Sequence, residues 1–369
     1  MKFTDYDLLP TLQTVLEEKN LKHPTEIQHK MIPALLEERS IVGVAETGSG
    51  KTLSYALPIL HMLKSLENRG LKVSVDGQPR ALIVVPTREL GEQVSKVFKY
   101  FTHTTRLRVR TVLGGSTLEI AKRNVQGAFE ILVATPGRFV KLMERDLITL
   151  VDVRTLVFDE ADQMLDAGFL PDANKIVEAC PQVLQKVLLS ATISPAVQKL
   201  INELFADVEI IKTKNSGQLV PSLDTENCII KDGKRYRYLE KYLGDKITGG
   251  TIIFTNTREQ CDKLVSELKE QGHSCAIYRG EMDKVERRSN LKLFRDGKIN
   301  LLISTDLASR GLDVEHVGRV INYHLPREIE NYIHRVGRTA RAGRKGLVIN
   351  FVTERDQALV DQLAKMKRK

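Results

Sequence analysis

Eight short apolar runs that do not alternate with polar residues set the strongest limit on what this chain can fold into. Four come early (Leu82–Val85, Ile131–Ala134, Leu156–Phe158, Val187–Leu189) and four late (Ile252–Phe254, Ile299–Ile303, Val320–Tyr323, Leu347–Phe351). A strand with one wet face alternates apolar and polar residues. A strand without that alternation is covered on both faces, as in a parallel sheet between layers of helices. Amphipathic stretches separate the runs, such as Glu259–Lys269, where Leu264 and Leu268 recur at helical spacing. Each half is therefore expected to be an open, mainly parallel α/β sheet flanked by helices.

Polar clusters come directly after most of these runs. Pro86–Leu90 (PTREL), Thr135–Arg138 (TPGR), Asp159–Asp162 (DEAD) and Ser190–Thr192 (SAT) each come after an early run. Thr255–Arg258 (TNTR) and Ser304–Asp313 (STDLASRGLD) come after late ones. Ligands of open parallel sheets bind outside the carboxyl ends of the strands. These polar clusters therefore fall on two binding edges, a placement that purely structural loops have no reason to favour.

The rhythm breaks at Lys212–Asp224 (KTKNSGQLVPSLD), which is rich in Gly, Ser, Pro and Asn. With 369 residues to place, we expect one domain over 1–211, a linker over 212–224 and a second domain over 225–369. A closing helix is expected from about Arg355, its basic end complementing the helix dipole. No run of 18 or more apolar residues provides a membrane span, and the start MKFTDYDLLP lacks a secretory pattern. The four cysteines are scattered, with no CxxC pair. That argues against a disulfide framework or zinc site and for a reducing compartment: the cytoplasm, or the nucleus in a eukaryote. The net charge of +9 favours polyanionic partners. With aromatics at 5% and no Trp, such a partner would be held by its backbone with little sequence preference.

Ala45–Thr52 (AETGSGKT) follows the strand-like Ile41–Val44 and precedes a helical stretch, the setting of a phosphate-binding loop. Thr47, Gly48, Ser49 and Gly50 would form the cradle, the two glycines letting backbone N–H groups point inward at a helix N-terminus. Lys51 would reach the β- and γ-phosphates and the Thr52 hydroxyl would ligate Mg²⁺. Asp159, Glu160 and Asp162 crowd carboxylates at the end of a buried strand, where they repel each other without a cation. Mg²⁺ held by Asp159 removes that difficulty, and Glu160 can then position or deprotonate the attacking water. Loop and carboxylates together predict a nucleoside triphosphate hydrolase.

His334–Arg341 (HRVGRTAR) places arginines at i, i+3 and i+6, which share roughly one face if the segment is helical. A solvated basic helix would explain the motif alone. Beside a triphosphate with no arginine of its own, Arg338 and Arg341 instead fit arginine fingers supplied by the second domain.

These motifs resemble those of the DEAD-box RNA helicase family over nearly the whole chain. Pro24–Gln28 (PTEIQ) is similar to the family's Q motif, and Phe3 to its isolated upstream aromatic. The resemblance implies two tandem RecA-like domains, with Thr25 and Gln28 at the nucleotide, Gln28 reading the adenine edge and Phe3 stacking on the ring. It implies RNA contacts at Thr87, Arg88, Gly115, Thr135 and Arg138 in the first domain and at Arg258, Gly280 and Thr305 in the second. It gives Asp313 a ribose contact and makes Asp162, Ser190, Thr192 and His334 the link between hydrolysis and strand separation. Ordinary strand-end hydrogen bonding is the other explanation for Ser190 and Thr192. Leu21, Glu26, Glu46, Ala121, Lys284, His324 and Ala340 depart from the family pattern.

The activity implied is ATP hydrolysis stimulated by RNA and coupled to domain closure. Its cofactors are ATP and Mg²⁺; its partners are single-stranded RNA and short RNA duplexes, engaged by a monomer away from membranes. An ATP-gated RNA clamp that rarely turns over would carry the same motifs. A DNA-translocating relative would share the core, although the Q motif and the PTREL, TPGR and SAT set favour RNA by resemblance.

Overall fold

Alternate residues of the same strand enter opposite hydrophobic cores, which is what strands without alternation demand. In the computed structural model the chain divides into two units, Met1–Ser216 and Gly217–Lys369. The structure describes residues 1–46, 48–182, 184–205, 208–214, 223–231, 233–245, 247–280, 282–306, 314, 316–340 and 346–367, with backbone only at 284, 366 and 367.

In the first unit the strands among the described residues are β1 (Ile41–Val44), β2 (Ala81–Val84), β3 (Val109–Val112), β4 (Ile131–Ala134), β5 (Thr155–Phe158), β6 (Gln185–Ser190) and β7 (Glu209–Lys212). They form one sheet in the order β3-β4-β2-β5-β6-β1-β7 with every pairing parallel. Ile41, Ile83, Val133, Val157 and Leu189 pack into the core on one face. Their neighbours Val42, Leu82, Leu132, Leu156 and Leu188 pack into the core on the other. The register brings the carboxyl ends of the strands level, pairing Val44 with Ser190, Val84 with both Phe158 and Ala134, and Ala134 with Val112.

The second unit repeats this plan with β8 (Leu223–Ile229), β9 (Gly250–Thr255), β10 (Cys275–Tyr278), β11 (Leu301–Thr305), β12 (Val317–Asn322) and β13 (Gly346–Val352), in the order β10-β11-β9-β12-β13-β8, all parallel. Ile252, Leu302, Val320 and Val348 face one core, and Ile253, Ile303, Ile321 and Ile349 the other. A hydrogen-bonded polar line crosses this sheet. In-register Asn322 and Asn350 are both buried. Asn322 Nδ2 donates to Asn350 Oδ1 at 2.9 Å, and Asn350 Nδ2 donates to Asn227 Oδ1 at 2.9 Å and to the Tyr332 hydroxyl at 3.1 Å.

Two boundaries differ from the sequence reading. Strands β7 and β8 take Lys212, Leu223 and Asp224 from the segment read as linker, because backbone pairing at a sheet edge needs few apolar side chains. The closing helix runs Gln357–Lys367. It starts after a turn in which the Thr353 amide and hydroxyl donate to Asp356 at 2.8 and 2.6 Å.

Candidate nucleotide and nucleic-acid sites

The loop after β1 turns through Gly48 (φ 86°) and Gly50 (φ 90°), left-handed values that suit glycine, and delivers Lys51 to the start of the helix Lys51–Asn68. At Gly50 space matters as well as φ, since a Cβ there would lie 2.4 Å from Gln28 Nε2. Lys51 is buried, and its ammonium donates to the Ala45 carbonyl at 2.7 Å, inside the loop it would serve. Gln28 caps its own helix by accepting from the Thr25 amide at 2.9 Å, and its Nε2 donates to the Gly50 carbonyl at 3.0 Å. Both ends of that amide are thus engaged within the protein, and reading an adenine edge would require exchanging them. Phe3 is the aromatic that the resemblance sets on the adenine ring. It is buried in the first core, edge-on to Tyr6 with ring centroids 6.2 Å apart, because an N-terminal aromatic gains most by burial. It also lines a cavity with Gln13, Leu16 and Leu21. Thr47 lies outside the described residues.

At the end of β5, Asp159 is buried and accepts from the Tyr55 hydroxyl at 2.8 Å. One residue outside the motifs therefore positions a carboxylate assigned to Mg²⁺. Its signal was present in the sequence only as a tyrosine one helical turn after Lys51. Burial pushes the Asp159 carboxyl up to about 6, with Glu160 adding to the rise while Lys51 and the Tyr55 bond oppose it. A buried carboxylate held this unfavourably fits a divalent cation. Glu160 sits in the left-handed region (φ 53°), an uncommon conformation for a residue with a side chain and one that concentrates at functional sites. Its carboxylate is bonded by buried Gln163, a second positioning group absent from the motif reading.

Asp162 joins the carboxylate loop to the end of β6. Its Oδ2 accepts from the Ala191 and Thr192 amides at 3.0 and 3.1 Å and from the Thr192 hydroxyl at 3.3 Å. Ser190 Oγ donates to the Thr192 carbonyl at 2.7 Å. Three of the four predicted coupling residues are therefore one bonded cluster. The predicted RNA residues of this unit also converge. Thr87 caps the helix Arg88–Thr105, and Arg88 reaches Glu92 at 2.9 Å. Thr135 Oγ1 accepts from the Gly114 amide at 2.9 Å, Gly115 holds φ 81°, and Arg138 donates to the Ser116 carbonyl at 2.5 Å.

In the second unit Arg258 opens the helix Arg258–Glu270 after β9, Thr305 ends β11, and Gly280 follows β10. A Cβ on Gly280 would meet nothing within 4 Å, so packing does not require glycine there. The arginine motif does not form one helical face, which corrects the expectation. The helix Ile329–Val336 stops at Gly337, a residue of low helix propensity, and Arg338 lies beyond it. Arg335 is the largest fully buried side chain. It forms a two-pronged ion pair with Asp306 and donates to Asn322 at 3.1 Å, Asn256 at 2.8 Å and the His324 carbonyl at 2.6 Å. Its counter-ion is internal. Arg338 is also buried, its Nε donating to the His334 carbonyl at 3.0 Å, and His334 is buried on the helix itself. Ala340 keeps φ 56° where the resemblance has glycine, a conformation that costs a side-chain-bearing residue about 1–2 kcal/mol. Asp313 and Arg341 lie outside the described residues.

A phosphate loop and a buried acid pair on one edge of a parallel sheet, with a second sheet of the same plan later in the chain, define a P-loop nucleotide hydrolase of two α/β units. Residues 25–200 match the DEAD/DEAH box helicase family and residues 234–343 the helicase conserved C-terminal domain. The chain is 33% identical to the ATP-dependent RNA helicase RhlB of Shewanella sediminis, over 96% of this chain and 81% of that protein. It is 34% identical to the RNA helicase CrhR of Synechocystis, over 97% and 71%. The solved structure of Saccharomyces cerevisiae Dbp5 bound to RNA and ADP–BeF3 superposes with a TM-score of 0.87 at 28% identity, covering 99% of this chain and 93% of that one. The chain belongs to the DEAD-box ATP-dependent RNA helicase family, whose members hydrolyse ATP.

Proposed function

We propose that this ATP-dependent RNA helicase opens short RNA duplexes locally by closing its two domains around ATP and single-stranded RNA. The observation that carries the reading is the shared edge of the first sheet. The phosphate loop, the acid pair, the Asp162–Thr192 cluster and the Thr87, Thr135 and Arg138 group all come after strands whose carboxyl ends are level. A change at the phosphates is therefore made on the same sheet edge as the residues that would hold the RNA backbone.

In this mechanism Lys51 exchanges its bond to the Ala45 carbonyl for the β- and γ-phosphates. Thr52 and Asp159 would hold Mg²⁺, which neutralises phosphate charge when bound. Glu160, oriented by Gln163, accepts the proton of the attacking water. Arg338 and Arg341 stabilise the charge that develops on the γ-phosphate, for which Arg338 must leave its bond to the His334 carbonyl. RNA is gripped through its backbone by Arg88, Arg138 and Arg258, with close approach at Gly115 and Gly280. Each base-pair step resists opening by about 1–2 kcal/mol by the DNA values, so one closure opens a few pairs. The protein acts as a monomer and needs no sequence-specific RNA contact.

Steady-state ATP hydrolysis with no nucleic acid, with single-stranded RNA and with matching DNA tests the reading. Strong stimulation by RNA alone, abolished in Glu160→Gln, is the expected result. Equal stimulation by DNA, or none by RNA, would overturn it.

A further inference from the structure

The phosphate loop contains one acid, Glu46, where a triphosphate calls for positive charge. Its carbonyl is fixed by Ser49, which donates through its amide at 3.3 Å and its hydroxyl at 2.7 Å, so the residue is pinned within the loop. Its side chain is half-buried, and its Oε1 is shielded from water with no hydrogen-bond partner. Burial raises the carboxyl above its ordinary range, and the cation that opposes the shift is Lys51, the phosphate-binding lysine itself. Other shielded acids among the described residues have partners. Glu130 is paired with Arg108, Asp306 with Arg335, and Asp159 with Tyr55. A shielded carboxylate oxygen without a partner destabilises a fold, so packing gives no reason for Glu46. Its charge acts instead on whatever else Lys51 binds.

We propose that Glu46 sets nucleotide affinity by charge: it opposes bound phosphates and shares the field of Lys51, weakening ATP more than ADP. The inference rests on the reading of Ala45–Thr52 as the phosphate-binding loop. The physical basis is that Coulomb repulsion grows with ligand charge and is poorly screened in a half-buried site. Glutamine at this position keeps the shape and removes the charge. The consequence for the cycle is faster release of nucleotide than an uncharged loop would allow.

The test is calorimetric titration of the full chain with a non-hydrolysable ATP analogue, with ADP and with adenosine, in Mg²⁺. Glu46→Gln should bind the triphosphate about tenfold tighter and the diphosphate about threefold tighter, with adenosine unchanged. Glu46→Ala should give the same order, and a thermal melt of each variant verifies the fold, so the result does not hang on one substitution. Unchanged or weaker triphosphate binding in the folded variants overturns the proposal. So does an equal gain for all three ligands, which would indicate packing and not charge. A wild-type chain that bound adenosine but neither phosphate ligand would remove the phosphate-loop reading itself. Normal wild-type binding with no gain in the variants would remove the role of Glu46 alone.

Discussion

Replacing Asp159 with asparagine should make the nucleotide-free protein more stable while abolishing its ATPase. The side chain is buried, and desolvation, helped by Glu160, moves its carboxyl from 3.8 to about 6 against the pull of Lys51 and Tyr55. The folded state therefore holds the proton more tightly than the unfolded state. Ionisation costs nothing below the unfolded value, costs progressively more as pH rises from 3.8 to about 6, and has a constant cost above that. A rise of roughly two units corresponds to about 3 kcal/mol. Asparagine has nearly the same shape, keeps an oxygen for the Tyr55 hydroxyl and carries no charge. Asp159→Asn should thus exceed the wild type by about 3 kcal/mol near pH 7.5, and the difference should vanish near pH 4. Urea unfolding followed by circular dichroism, with a chelator present and no nucleotide, measures both. An unchanged or lower stability near pH 7.5 would refute the electrostatic reasoning. A gain that did not depend on pH would assign the effect to packing.

Two further predictions concern the second unit. Gly280→Ala adds a methyl group to open space, so the melting temperature should move by no more than a degree or two. RNA affinity in the presence of an ATP analogue, read by fluorescence anisotropy, should still fall about fivefold or more if the RNA backbone passes there, by the usual cost of a steric contact. Asn350→Leu leaves buried Asn322 and Tyr332 without their partner. At about 1–2 kcal/mol for each stranded group, the second unit should lose on the order of 3 kcal/mol. Hydrogen exchange should place that loss in β12 and β13 and leave the first sheet unchanged.

The strands that could be read from the sequence and those that could not differ by position. Every strand seen as an apolar run lies inside its sheet, as does β1. The remaining strands among the described residues, β3, β7, β8 and β10, are the edges of the two sheets. An edge strand has one neighbour and a wet side, so sequences such as VRTV and EIIK carry it without a continuous apolar signal. The site obeys a related rule. Residues that take their role from backbone geometry, such as Gly48, Gly50 and the level strand ends, were legible because loop and strand patterns fix them. Polar side chains were legible only as to type. Motif logic gives each of them to a ligand, whereas burial first offers them to the protein. Arg335 was read on one helical face with Arg338 and Arg341, yet the fold supplies Asp306 as its counter-ion and closes it off. Tyr55 belongs to no motif, yet its hydroxyl holds Asp159. What separates a structural polar residue from a functional one in this molecule is whether the fold provides its complement. By that measure Arg335 is satisfied, Asp159 only in part, and Glu46 keeps a shielded Oε1 with no hydrogen-bond partner, Lys51 being the cation that opposes the rise of its carboxyl.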